Sequence, residues 1–158
     1  MLSHQLKLIF VHIPKNAGQS VERCFIQYLD TSWKDKDSFL LTNNTDPRKG
    51  PARLAHLTAS EYVSCGHVAP SQFENYFKFS FVRNPWAKLV SEYKWRRYYT
   101  QWSFKDWINQ GFPTQDDGIH WRHVMPQYDY LYDTNGNCLV DFIGHFEQLK
   151  DDFDAIKK

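Results

Sequence analysis

The residues with the clearest chemical use are Pro14, Lys15, Asn16, Ala17, Gly18, Gln19 and Ser20, which follow an apolar stretch running from Leu6 to Val11. A lysine between a proline and a glycine, just ahead of a helix-like pattern, suits an anion. The ammonium supplies charge, and the amides from Asn16 to Ser20 at the start of the helix are free to point at a phosphate. Gly18 can take a positive φ or let a ligand approach the main chain. The spacing is not that of an ATP-binding phosphate loop, because the lysine precedes the glycine and the Gly-Lys-Ser/Thr ending is missing, which argues against a nucleotide kinase. An ordinary strand-turn-helix corner with a solvated lysine would carry the same letters.

These residues need a strand before them and a helix after them. Leu6, Leu8, Ile9, Phe10 and Val11 alternate little and are bounded by turn residues, so they predict a strand buried on both faces. Ser20 is placed to cap a helix to about Leu29, with Val21, Cys24, Phe25 and Tyr28 on its buried face. A second unit of this kind starts at Lys78–Arg83, a strand whose end meets Asn84-Pro85, a cap and first-turn signal. In the following helix, to about Tyr99, Trp86, Leu89, Val90 and Tyr93 form the expected buried stripe, while Lys88, Ser91 and Trp95 fall on a neighbouring face.

Between the two units, residues 30–55 read as a long surface excursion in which Arg48, Lys49 and Arg53 could grip an anionic acceptor or simply be solvated. The stretch from His56 to Phe73 predicts a short helix opened by Thr58 or Ser60, then a short strand, VSCGHV, delivering Gly66 and His67 to its end. Later, residues 103–109 read as a capped helix stopped by Gly111 and Pro113, and QDDGIHW as a loop. Asn135-Gly136 is a turn, Leu139–Ile143 a strand, and Glu147 onwards a helix with Leu149, Phe153 and Ile156 on one side. This order favours an α/β fold with a mainly parallel sheet flanked by helices, its ligands bound at the carboxyl ends of the strands.

The chain has 158 residues, which predicts one domain over 1–158 with a real core. An aromatic fraction of 17% favours burial and ring stacking, and a net charge of +1 gives no overall field for nucleic acid, so any anion site is local. Cys24, Cys65 and Cys138 lack paired spacing, and the histidines lack a helical metal pattern, so neither a disulfide framework nor a metal is expected. No run of about 18 apolar residues and no leader pattern are seen, which predicts a cytoplasmic protein without a membrane segment.

The words HIPKNAG and FVRNPWAKLVSEY, in this order and each at the end of a predicted strand, resemble the two nucleotide-binding motifs of sulfotransferases that use 3'-phosphoadenosine 5'-phosphosulfate (PAPS). The likeness points to the carbohydrate branch, near the heparan sulfate 2-O- and uronyl sulfotransferases, and extends weakly to GHVAP and VDFIGHFEQLKDDF. Residues 28–56 carry none of it. Members of that branch in animals are typically anchored in the Golgi, and this chain departs from them in starting a few residues before its first strand. Family members also usually continue past the last strand and helix, so the domain is expected to be short at its C-terminus.

The resemblance implies a P-loop-NTPase-like three-layer fold and transfer of a sulfuryl group from PAPS to a hydroxyl of a saccharide or related acceptor, leaving 3',5'-ADP. It makes Lys15 the residue that neutralises the leaving phosphate, and Arg83 with Ser91 the pair that binds the 3'-phosphate. A guanidinium can fork two oxygens and a helix-borne hydroxyl can add a donor, although eight residues of separation leave their meeting to the loop. It points to His67 as the proton acceptor, since CGHV matches the family's histidine-bearing motif. Histidine suits the role because its reference pKa is about 6.5. His12, His120, His123, Glu61 and Glu92 are the other candidates. HWRHVMPQ is similar to an acceptor-side loop, with Trp121 and Tyr128 as sugar-stacking rings and Arg122 as a contact to an acidic sugar. The competing expectation is a non-catalytic protein of the same fold that binds a nucleotide or an anionic glycan.

Overall fold

The computed structural model describes residues 1–114 and 118–157; the loop expected at Gln115–Asp117 lies outside the described residues. The elements run β1 (Leu2–Ser3), β2 (Leu8–Val11), α1 (Gly18–Tyr28), α2 (Glu61–Ser64), α3 (Pro70–Asn75), β3 (Phe77–Val82), α4 (Pro85–Trp95), α5 (Phe104–Asn109), α6 (Ile119–Val124), α7 (Tyr128–Leu131), β4 (Phe142–His145) and α8 (Leu149–Ile156). Short 3₁₀ turns link several of them, among them Trp33–Phe39, Pro47–Lys49 and Leu54–His56. The sheet order is β1-β2-β3-β4, with β1 antiparallel to β2 and the other pairs parallel. The expected mainly parallel sheet between helices is present.

Strand β2 is buried at every position, and its alternation divides the core. Ile9 and Val11 pack with Leu57, Tyr62, Tyr130 and Leu131 on one face, while Leu8 and Phe10 pack with Phe79, Phe81, Val21 and Ile26 on the other. Phe10 stacks on Phe79 with ring centroids 4.9 Å apart, so two neighbouring strands are locked through one aromatic pair. Burying one such side chain contributes about 1.5–3 kcal/mol.

Several local expectations are corrected. VSCGHV is not a strand: Glu61–Ser64 is helical, and Gly66 at φ 73° ends the turn as the amides of His67 and Val68 close onto the Tyr62 carbonyl. Pro70 then starts α3. Helix α1 begins at Gly18 rather than being capped by Ser20, because Ala17 turns the chain in the left-handed region. Its inner face is Gly18, Val21, Glu22 and Ile26, whereas Cys24 and Tyr28 are exposed. Helix α4 buries Lys88 and Glu92, not Trp86, which is 64% exposed. The physical reason is shared: each helix turns a carboxylate inward to a buried histidine. The last strand lies at Phe142–His145 instead of Leu139–Ile143, and IHW belongs to α6 rather than to a loop. Among the described residues, no helix is long and apolar enough to cross a membrane.

Candidate active site

The three parallel strands end side by side, and the segments that leave them, with those around them, enclose a cavity of about 330 Å³. Pro14, Lys15, Ala17, Gly18, Gln19, Ser20, Arg83 and Ser91 all line it, so the structure brings the two predicted motifs together. Their meeting was left open by the sequence. It follows from the parallel pairing of β2 with β3, which sets Val11 beside Ser80 and both chain exits at one edge.

The loop is held in an uncommon shape. Lys15 (φ 70°) and Ala17 (φ 64°) occupy the left-handed region, at a cost of roughly 1–2 kcal/mol each. Gly18 does not take the positive φ that the sequence allowed, and its bare Cα serves another purpose. A Cβ at Gly18 would lie 2.0 Å from His12 Cδ2 and Nε2, so the glycine makes room for a histidine rather than for a ligand.

Asn16, between the two strained residues, is buried and faces away from the cavity. Its Nδ2 donates to the Phe81 carbonyl at 2.9 Å and to Gln127 Oε1 at 2.6 Å. Gln127 Oε1 also accepts from the Arg83 amide at 2.9 Å, and Gln127 Nε2 donates to the Arg83 carbonyl at 2.7 Å. One side-chain amide thus ties both motifs to the segment before α7. Gln127 closes the HWRHVMPQ stretch, but its role in joining the motifs was not foreseen, because nothing in the sequence pairs it with Asn16, 111 residues away.

Arg83 Nη1 donates to the Lys15 carbonyl at 3.0 Å, and its guanidinium lies 3.9 Å from the Phe146 ring centroid. Its Nε is buried without a hydrogen-bond partner. The Lys15 ammonium rests 4.6 Å from the Trp95 ring centroid. Burial lowers the Lys15 pKa most; nearby Glu92 works against that, while Arg83 and Arg96 add to it.

Three further wall residues are histidines. His12 Nδ1 donates to Glu22 Oε1 at 2.6 Å, and His123 Nδ1 donates to Glu92 Oε2 at 2.8 Å. His56 stands between them, edge-on to both rings with centroid distances of 4.8 and 5.3 Å. Its Nδ1 is buried and unpartnered. Burial, then repulsion from the His12 and His123 imidazoles when they carry a proton and from Arg53, pushes its pKa well below the usual imidazole value. At Glu22 and Glu92 burial favours the neutral acid, but hydrogen bonds and charge from His12 and from His123 with Arg96 outweigh it and hold both below the usual carboxylate value.

His67 and the expected acceptor residues lie elsewhere. His67 Nε2 is 2.8 Å from the Lys49 carbonyl, on the 3₁₀ turn, and does not line the Lys15 cavity. Trp121 and Arg122 line a second cavity of about 570 Å³ with Pro47, Gly50, Glu61 and Asp129. There the Arg122 guanidinium is forked onto the Glu61 carboxylate. Arg48 is exposed and forked onto Asp46, at 3.0 and 2.9 Å. Tyr128 is stacked on Tyr132 at 4.2 Å.

In sum of charge, the Lys15 cavity presents an ammonium, a guanidinium with a spare donor, the hydroxyl-bearing Ser91 and the head of an eleven-residue helix. This suits a ligand with more than one anionic group. A family model described as "Sulfotransferase family" matches residues 1–158. A protein of Archaeoglobus fulgidus, described only as uncharacterized, is 34% identical over 95 residues, which cover 58% of this chain and 72% of that relative. No solved structure matches the chain significantly.

Proposed function

The chain belongs to the sulfotransferase family, and we propose that it is a PAPS-dependent enzyme of the carbohydrate branch with a P-loop-like fold, formed as a single domain over residues 1–158. On this reading it moves a sulfuryl group to a hydroxyl of a saccharide or related acceptor. The observation that carries the proposal is the convergence of Lys15, the head of α1, Arg83 and Ser91 on one cavity at the carboxyl edge of the sheet. The residues fit such a nucleotide because Arg83 Nε is buried yet unpartnered, and because Ser20 and Val21 donate to the Ala17 carbonyl, leaving the Gly18 and Gln19 amides at the cavity wall for an anion.

When bound, PAPS supplies an activated sulfuryl group whose departure leaves charge on a phosphate. Lys15 stands to neutralise that charge, with the Gly18 and Gln19 amides as fixed donors that need no reorganisation. Arg83, braced by the Lys15 carbonyl and the Phe146 ring, offers its remaining donors to a second phosphate, and Ser91 adds a hydroxyl. In the balanced step the acceptor O–H bond breaks, its proton goes to a base of the chain, and its electron pair forms the new S–O bond. The S–O bond to the leaving phosphate breaks with its pair left on the phosphate oxygen, giving a sulfate ester and 3',5'-ADP. On the acceptor side Trp121 is the contact retained, as a ring open to the second cavity. Arg48 and Arg122 already hold carboxylates.

Calorimetric titration with 3',5'-ADP and 5'-AMP tests the nucleotide class. The expected result is binding that prefers 3',5'-ADP, weakened about 10- to 100-fold in Arg83→Ala, the loss of charge-assisted hydrogen bonds. Equal affinity for both nucleotides would overturn the assignment of Arg83. Sulfuryl transfer to a glycan panel, read by mass, then separates the enzyme from a protein that only binds.

A further inference from the structure

Resting on the sulfotransferase reading above, we propose that His123, oriented by Glu92, is the general base that takes the acceptor proton. Helix α4 fixes His123 at both its ring and its main chain. The Nδ1–H donates to Glu92 at 2.8 Å, and Lys88 Nζ, also from α4, donates to the His123 carbonyl at 2.7 Å. The ring stacks on Trp95, with centroids 5.3 Å apart and planes 21° from parallel, and the same indole supports the Lys15 ammonium. With Nδ1 committed to a carboxylate, the neutral ring carries its lone pair on Nε2, which is the tautomer a proton acceptor needs. Glu92 then stabilises the imidazolium after transfer, and Arg96 Nε at 2.9 Å holds the second carboxylate oxygen.

The other histidines lack one requirement or another. His12 has a carboxylate partner, but its Nε2 edge is pressed against Gly18. His56 has no carboxylate partner, and burial beside two other imidazoles and Arg53 makes it a weak base. His67 binds the Lys49 carbonyl through Nε2, so that nitrogen carries the hydrogen, and its ring is outside the Lys15 cavity. His123 is also kept ready to accept: burial lowers its pKa, Glu92 partly restores it, and Arg96 and Lys15 lower it further.

The groups facing His123 are Glu92, Arg96 and Lys88 on α4, Lys15 on its loop, and His56 on the 3₁₀ turn. Removing the Glu92 charge should therefore move the acid limb of the rate profile to lower pH.

The test uses PAPS hydrolysis, with water in place of the unidentified acceptor, in wild type and in His123→Ala, His123→Gln, Glu92→Gln and His67→Ala, with 3',5'-ADP affinity and melting temperature measured for each. The expected result is a fall of about 100-fold or more in kcat for both His123 variants, with nucleotide affinity kept within about twofold. Glu92→Gln should keep part of the rate with the shifted acid limb, and His67→Ala should keep it all. Turnover that survives in His123→Gln, or that is lost only in His67→Ala, overturns the proposal. Nitrogen-15 NMR of the wild type gives a readout without turnover: His123 protonated on Nδ1 supports the assignment, and protonated on Nε2 overturns it. Failure of wild type to bind 3',5'-ADP would instead sink the nucleotide reading, and the NMR result would still decide whether His123 has a base's tautomer.

Discussion

Arg122 and Arg83 each face a cavity, and they are used in opposite ways. Arg122, beside the larger cavity, has its guanidinium forked onto Glu61, whose carboxylate also accepts from the Thr58 amide at 2.8 Å. Its charge is spent on joining α6 to α2. Arg83, beside the smaller cavity, is braced by a carbonyl and an aromatic ring and retains an unpartnered buried nitrogen. Lys15 likewise rests on an indole. Supports that do not neutralise a cation leave its charge available, whereas a carboxylate partner consumes it. The larger of these two cavities is the one whose arginine is already paired.

The largest effect that can break this contrast is on rate. Lys15→Met should reduce PAPS turnover on the order of 10²- to 10³-fold, the scale for one preorganised charge-stabilising donor, with little change in melting temperature; an unchanged rate would mean that Lys15 is only a turn residue. Next comes Arg122→Ala, which should cost about 1–3 kcal/mol in urea unfolding because Glu61 loses a half-buried partner, while 3',5'-ADP affinity stays as it was. Weaker nucleotide binding with normal stability would make the two arginines alike.

A pH series sharpens the same point at the histidine-paired carboxylates. Glu22 and Glu92 have pKa values below their unfolded values, burial being outweighed by His12, His123 and Arg96. Their stabilisation is thus present above about pH 4.5 and lost as pH falls through the lower folded values. The urea midpoint should drop over that window, and Glu22→Gln with Glu92→Gln should flatten the drop. The smallest effect is expected at Arg48, whose pair with Asp46 is solvated: Arg48→Ala should leave the melting temperature and nucleotide affinity unchanged.

The strands were legible where burial left a strong mark. Leu8–Val11 and Phe77–Val82 are apolar enough for their positions to be read within one or two residues, and the Ser103-capped helix Phe104–Asn109 follows local rules of capping. Helix faces were read less well. In α1 and α4 the buried stripe includes Glu22, Lys88 and Glu92, and no hydropathy pattern places charged residues inward. They are inside because His12, His123 and backbone carbonyls supply their hydrogen bonds, and those partners come from other elements.

The sequence by itself determined the parallel α/β character, the anion-suited loop after the first long strand and the pairing of two motifs, because local propensity and short spacings specify strands, turns and helix starts. Only the tertiary structure decided that Arg83 and Ser91 reach the Lys15 cavity, that Gln127 ties the motifs, that Arg122 is already neutralised, and that His123 rather than His67 stands beside Lys15. Those facts depend on contacts between residues tens of positions apart, whose meeting is set by sheet register and packing and leaves no trace in neighbouring letters.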